Sequence, residues 1–234
     1  MGPSGRPAAS ALGVGDEFLH AALVTGGPEV VLGSASPARL RVLRQAGLEP
    51  RVLIADLDED ALVAELAAAP PTEIVTRLAA AKADALIARV DSPDAVLLTC
   101  DSMLRIRGEL VGKPHTPEVA RQRWVQMSGQ SANLLTGHCI TRIVDGTPVD
   151  RAADCESTEI RFATVDTTTI DAYVSTGEPL AVAGSFTLDG YGGWFVDGID
   201  GDPSSVIGIS LPLTRRLLAR VGVDVTALWS PRSR

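Results

Sequence analysis

The chain is poor in the residues that build metal clusters, disulfide frameworks and basic binding faces. Its three cysteines, Cys100, Cys139 and Cys155, lie far apart with no CxxC pair, and three histidines are too few for a zinc set. Such scattered thiols fit a reducing cytosol, where cysteine serves as a small apolar filler. Basic residues number 21 against 29 acidic, a net charge of −8. That balance opposes a general nucleic-acid or membrane-surface role, yet leaves room for a small polyanion in a local basic pocket. No apolar run reaches membrane-spanning length. Residues 1–28 are rich in Gly, Ala and Pro, lack the layout of a signal peptide, and read as a mobile extension. Familiar motifs are missing too: there is no Walker phosphate loop, no GxGxxG after a strand, no HExxH and no GxSxG elbow. Their absence argues against GTPase, dehydrogenase, zinc-protease and serine-esterase chemistry.

What is present starts at Val30-Val31-Leu32-Gly33-Ser34-Ala35-Ser36-Pro37-Ala38-Arg39-Leu40. A β-branched apolar run predicts a buried strand, and Ser36-Pro37 predicts a helix start, serine as N-cap and proline at the first position. Leu40 and Leu43 would face inward, and Gly47 would stop the helix. A strand feeding a helix whose start carries two hydroxyls and a guanidinium can bind an anion, although an ordinary capped turn looks the same locally. Residues 51–55 predict a strand ending in the acidic cluster Asp56, Asp58, Glu59 and Asp60, which reads as a solvated turn or as metal or phosphate chemistry.

Residues 72–90 predict a helix with Thr72 as N-cap and an apolar face of Val75, Leu78, Ala79, Ala81, Ala85 and Leu86. Lys82 falls in the middle of that face, so it either snorkels or reaches a buried polar site. Residues 94–102 predict a fully buried strand ending at Asp101, where α/β sheets bind ligands, although an aspartate can simply cap the next turn. Met103 to Ile106 and Glu109 to Val111 predict a hairpin that delivers Gly112-Lys113-Pro114, with Lys113 held extended by its proline. Thr116 opens another capped helix, and residues 132–165 alternate as strands about a turn at Asp145-Gly146. A short helix follows at Thr167 to Ser175, stopped by Gly177. The glycine-dense run 183–193 suits either a substrate-enclosing loop or a plain surface loop. Trp194 to Ile199 and Val206 to Ile209 read as strands, separated by a turn at Gly201-Asp202-Pro203. Leu211 to Val221 reads as the closing helix and residues 230–234 as a short tail. These elements predict one α/β domain over 29–229 with a mixed sheet.

From the ends of these elements come Ser34, Ser36, Arg39, Glu59, Lys82, Asp101 and Lys113. Three cations suit a triphosphate, and two carboxylates suit a divalent ion with incomplete protein ligation or the activation of a water.

The combination of Gly33–Leu40 with Asp58-Glu59, Leu78–Ala83, Cys100-Asp101-Ser102, Gly112-Lys113-Pro114, Ser128-Gly129 and Thr136-Gly137 resembles the Maf family. Ala183–Phe186 and Gly208–Leu213 extend the likeness, which covers roughly residues 30–225. The resemblance implies a central mixed, twisted sheet flanked by helices, similar to inosine triphosphatases, with two lobes around a cleft and often a dimer. It implies a hydrolase, a nucleoside triphosphate pyrophosphatase that releases a nucleoside monophosphate and pyrophosphate in a house-cleaning role with Mg²⁺ or Mn²⁺. The alternative is a non-catalytic nucleotide-binding regulator, since the family is associated with septum formation. A phosphatase removing only the terminal phosphate would use the same electrostatics. By the same resemblance Asp101 is the proton acceptor, with Arg39, Lys82 and Lys113 on the phosphates. Glu59 and Asp101 are the metal positions, and Ser34, Ser36, Ser102 and Asp189 the substrate-binding ones. Neither nucleic acid nor membrane is an expected partner. The chain departs from common family patterns at Ala38, Ser102 and Asp189, positions that bear on the preferred base. An acidic Asp189 could pair with a cationic methylated purine.

Overall fold

The computed structural model describes Gly2 and residues 27–230. Most of the expected N-terminal extension, and the tail after Ser230, lie outside the described residues. The first motif folds as its residues require. Strand β1 (Glu29–Gly33) enters helix α1 (Pro37–Gln45), where Ser36 Oγ caps the Arg39 N–H and Pro37 occupies the first turn. Gly47, at φ +90°, ends the helix in a conformation that side-chain-bearing residues resist. Strand β2 (Arg51–Leu53) follows and lies parallel to β1.

The acidic cluster is more than a turn. Asp58 caps a seven-residue helix, α2 (Glu59–Glu65), and its Leu62 and Val63 pack beneath the next helix. That helix, α3 (Pro71–Leu86), starts one residue earlier than expected, with Pro70 in the cap position and no side-chain cap from Thr72. It ends in a single 3-10 turn, Ile87–Arg89. Packing rotates its inner face toward Ile74 and Ala83 and leaves Ala85 exposed. Lys82 stays on the inner face, as the spacing requires.

Strand β3 (Asp94–Ile106) runs on for 13 residues, so Asp101 sits inside a strand and not at its end. Strand β4 (Glu109–Val111) folds back on it. Helix α4 (Pro117–Met127), capped by Thr116, leads to the long hairpin of β5 (Ser131–Val144) and β6 (Thr147–Phe162). Helix α5 (Thr167–Ser175), three 3-10 turns between 178 and 195, and strand β7 (Val196–Asp200) come next, β7 starting two residues later than expected. Residues 203–207 form helix α6 (Pro203–Ile207) where a strand was expected. Asp202 caps it and Pro203 fills its first turn, a start signal that outweighs the β-branched pair Val206-Ile207. Helix α7 (Leu211–Arg220), capped by Ser210, closes the fold.

The seven strands among the described residues form one mixed sheet in the order β2-β1-β3-β5-β6-β7, with β4 beside the far half of β3. Helices cover both faces. Leu32, Leu98 and Cys100 pack with Val42 and Leu43 of α1 and with Leu213, Leu217 and Leu218 of α7. Val31, Ala95 and Leu97 pack with Ala79, Ala83 and Leu86 of α3 on the other side. Toward the far end of the long strands, Trp124 makes edge-to-face contacts with Phe162, Tyr173 and Phe195.

One break in this sheet positions the site. Along one edge of β3, β1 pairs as far as Thr99 and β4 pairs only from Leu104 onward. Residues 100–103 therefore face a gap between two partner strands, although β5 pairs continuously along the other edge. Alternation sends Thr99 and Asp101 to the α3 face and Cys100 and Ser102 to the α1 face.

Candidate active site

Two clusters meet at the gap, one from each face of the sheet. On the α3 side, Lys82 Nζ lies 2.5 Å from Asp101 Oδ1 and 3.1 Å from Glu59 Oε1. Lys82 is 8% exposed and Asp101 7%, so this ion pair is shielded from water. Its placement has a local cause: α3 is anchored on β3 by Thr99 Oγ1 donating to the Ala79 carbonyl at 2.7 Å, one helical turn before Lys82. Glu59 comes from the first turn of α2, fixed by the Asp58 cap.

The two carboxylates are tuned apart. Burial pushes Asp101 above the usual aspartate range, and the attraction of Lys82 and Arg39 does not fully offset it. Glu59 is less buried; there burial acts upward, but Lys82, Lys113 and a hydrogen bond to Asp101 bring it below its usual range. Lys113 sits on the exposed stretch between β4 and α4, where its charge reaches Glu59. Cys100, between these groups in sequence, is no candidate nucleophile: burial pushes its thiol up to about 12.

On the α1 side, Arg39 fills the break. Its Nε donates to the Gly208 carbonyl at 2.8 Å, Nη1 to Ser34 Oγ at 3.0 Å and to the Cys100 carbonyl at 2.9 Å, and Nη2 to Ser102 Oγ at 3.1 Å. A guanidinium has five N–H donors, so four are committed within the protein. Ser102 also bonds Thr136 Oγ1 at 3.0 Å. Ser34 Oγ accepts the Ser36 N–H as well, and Ser36 Oγ is occupied as the α1 cap.

The structure thus brings together Ser34, Arg39 and Ser102 in one hydrogen-bonded set and Glu59, Lys82 and Asp101 in another, with Lys113 acting on the second through its charge. Asp189 joins neither set; it pairs with Arg41 of α1. Sequence reasoning did not single out Arg41, the Thr136 hydroxyl or the Gly208 carbonyl. Arg41 lies three residues after Ala38 on α1, so helical spacing places the two on one face.

Among the described residues, no three His, Cys, Asp or Glu side chains converge as a protein-only metal cage, and no helix is long and apolar enough to cross a membrane.

A family model for Maf-like proteins matches residues 29–221. The chain is 57% identical over 203 residues to a nucleoside triphosphate pyrophosphatase of Nocardia farcinica (strain IFM 10152), covering 86% of this chain and 96% of that protein. A protein of the same name from Rhodococcus opacus (strain B4) is 58% identical over 208 residues, 87% of this chain and 97% of its own length. One from Saccharopolyspora erythraea is 55% identical over 204 residues, 86% and 97% respectively. With a family match across nearly all of the described fold and relatives aligned almost end to end, this chain belongs to the Maf family.

Proposed function

We propose that this chain is a nucleoside triphosphate pyrophosphatase that hydrolyses the α–β phosphoanhydride, as the names of its relatives suggest. The observation that carries the reading is Lys82, buried between Asp101 and Glu59 at a break in the sheet. An aspartate whose proton affinity is raised by burial, and whose charged form is favoured by the lysine beside it, suits a general base. In this reading a water attacks the α-phosphorus and its proton passes to Asp101. The bond from the α-phosphorus to the bridging oxygen breaks, and the electron pair leaves with pyrophosphate. Lys82, Lys113 and the remaining donor of Arg39 stabilise the charge that develops on the leaving group. Ser34 and Ser102 orient Arg39, and Ser36 caps the helix beside them.

A divalent cation fits the donor set. Glu59 and Asp101 supply two hard oxygens that converge on the Lys82 ammonium, and two is the number Mg²⁺ commonly takes from a protein when substrate phosphates and waters supply the rest. They would hold Mg²⁺ or Mn²⁺, which when bound neutralises phosphate charge. A reducing cytosol suits the three free thiols. The two lobes and the dimer implied by family resemblance belong to the same reading, and a sizing experiment checks the second.

The test is a product assay with magnesium and then manganese over a panel of nucleoside triphosphates. Monophosphate plus pyrophosphate is expected, with turnover falling by about 10²-fold or more in a folded Asp101→Asn variant. Orthophosphate plus diphosphate would overturn the α–β assignment. Absence of product from every nucleotide would favour the regulator instead.

A further inference from the structure

Strand β4 ends at Val111, opposite Leu104, so Gly112-Lys113 leaves the sheet beside the gap at residues 100–103. Lys113 is exposed, and a flexible side chain on an exposed stretch is not aimed by packing. What the structure fixes is the backbone beneath it. The Gly112 carbonyl accepts Arg123 Nη1 at 2.6 Å and the Gly184 N–H at 3.3 Å. Beyond Lys113, the His115 N–H donates to the Leu180 carbonyl at 3.2 Å. Helix α4 and the 180–185 turn thus clamp the chain on both sides of the lysine.

The clamp has its own supports. Gly184 lies against β3, where an added Cβ would come within 2.9 Å of the Leu104 Cβ. Ser185, fully buried, adopts φ +62°, and so does His115. Residues with side chains keep such a conformation only where their surroundings impose it. The Ser185 carbonyl accepts Trp124 Nε1 at 2.7 Å, and its hydroxyl lies 3.4 Å from Arg123 Nη1. Two adjacent residues of α4 therefore tie the turn to the Lys113 segment.

Arg123 is the unusual member of this set. Ala120, Trp124 and Met127 form the buried face of α4, and helical spacing puts position 123 on the same face. Among the described residues no carboxylate pairs with it, and burial, unopposed by any charge, lowers its guanidinium. A half-buried cation without a counter-ion costs stability. Its shortest contact is the carbonyl next to Lys113.

We propose that Arg123 is a positioning residue for Lys113, its bond to the Gly112 carbonyl holding the backbone that presents the Lys113 ammonium to the phosphates. The proposal rests on the pyrophosphatase reading above and deepens it. Arg123 acts through Lys113, so its effect should vanish once that ammonium is removed.

The test is a double-mutant cycle of Arg123→Met and Lys113→Met. It is read as kcat/KM with the best nucleotide of the product assay, and as calorimetric Kd for inorganic pyrophosphate with magnesium. Arg123→Met alone is expected to worsen both values about tenfold, because the Gly184 N–H still holds part of the clamp. In a chain already carrying Lys113→Met, the second substitution should change either value by less than about twofold. Arg123→Lys, which keeps a donor for the Gly112 carbonyl, should stay within about threefold of wild type. Should Arg123→Met not fold, the shorter, uncharged Arg123→Gln runs the same cycle. Losses that multiply in the double variant, or wild-type values in a folded Arg123→Met, overturn the proposal while the pyrophosphatase reading stands. Coupled losses in pyrophosphate Kd without turnover of any nucleotide keep the clamp and overturn the hydrolase reading. A folded wild type that neither turns over nucleotide nor binds pyrophosphate overturns both.

Discussion

Lowering the pH should loosen this fold through one buried imidazole. His138, on β5 and 1% exposed, has Nδ1 2.9 Å from the Thr136 carbonyl, and its Nε2 accepts the Ser210 N–H at 2.9 Å. Those partners require the neutral ring, Nδ1 protonated and Nε2 bare. Burial lowers the imidazole to about 4 from 6.5; Arg39 adds to that, and the Thr136 carbonyl, Asp202 and Asp154 oppose it. Because the folded value lies below the unfolded one, the unfolded chain takes up the proton first as pH falls. The stabilisation is complete above the unfolded value near 6.5 and is lost as pH drops through 4. Between about pH 7.5 and about pH 5 the two values give a loss of about 2 kcal/mol for this group. Urea denaturation at both pH values measures it, with His138→Gln as reference, since glutamine can still accept the Ser210 N–H but does not titrate. Subtracting the pH dependence of the variant removes the shared contributions of Asp101, Glu59 and the other carboxylates. Equal pH dependence in both proteins would refute the reasoning.

Three further outcomes follow from the site and its supports. Since burial raises Asp101, the acid limb of kcat/KM should lie above the range of an ordinary aspartate, activity being lost as pH falls through it; a limb at the ordinary value would contradict the base assignment. Lys82→Met should cost about 3 kcal/mol at neutral pH by stranding buried Asp101, and stability should recover as pH falls and Asp101 protonates, both read from denaturant melts. Gly137→Ala should destabilise by about 1–3 kcal/mol, because the new Cβ would lie 2.2 Å from the Val75 carbonyl of α3; a melting temperature equal to wild type would show that α3 can retreat at no cost.

Local signals carried most of the fold. Ser36-Pro37 and Thr116-Pro117 start helices as their cap chemistry demands, and Asp145-Gly146, both at positive φ, turns the β5–β6 hairpin. The failures have two causes, a local start signal given too little weight and a tertiary partner that the local pattern does not contain. Val206-Ile207 looks like strand until Asp202-Pro203 is weighed as a helix start. The acidic stretch around Asp58 looks like a solvated turn because α2 gains its stability by laying Leu62 and Val63 under α3. Lys82 was legible, since a lysine centred on an apolar helix face needs a buried partner, and Asp101 with Glu59 provides it. Arg41 was not, because its partner is 148 residues away and nothing on α1 points to it.

Arg39 shows why a residue's presence in a site does not fix its role. Spacing offers it as a phosphate ligand, but the break in the sheet gives it prior work. It bonds the Cys100 carbonyl, which neither β1 nor β4 reaches, and ties that point to Ser34, Ser102 and Gly208. With four of five donors committed, it can offer a phosphate little direct contact, and its greater part is to hold the gap open beside Asp101. Arg39→Lys separates the two roles, since it keeps the charge and loses the fork. A brace predicts a stability loss of about 1–3 kcal/mol from acceptors left unsatisfied, with kcat falling alongside. A phosphate ligand predicts unchanged stability and a raised KM. Denaturant melts beside steady-state kinetics on the same preparation decide between them, and an unaltered melt would return Arg39 to the phosphates.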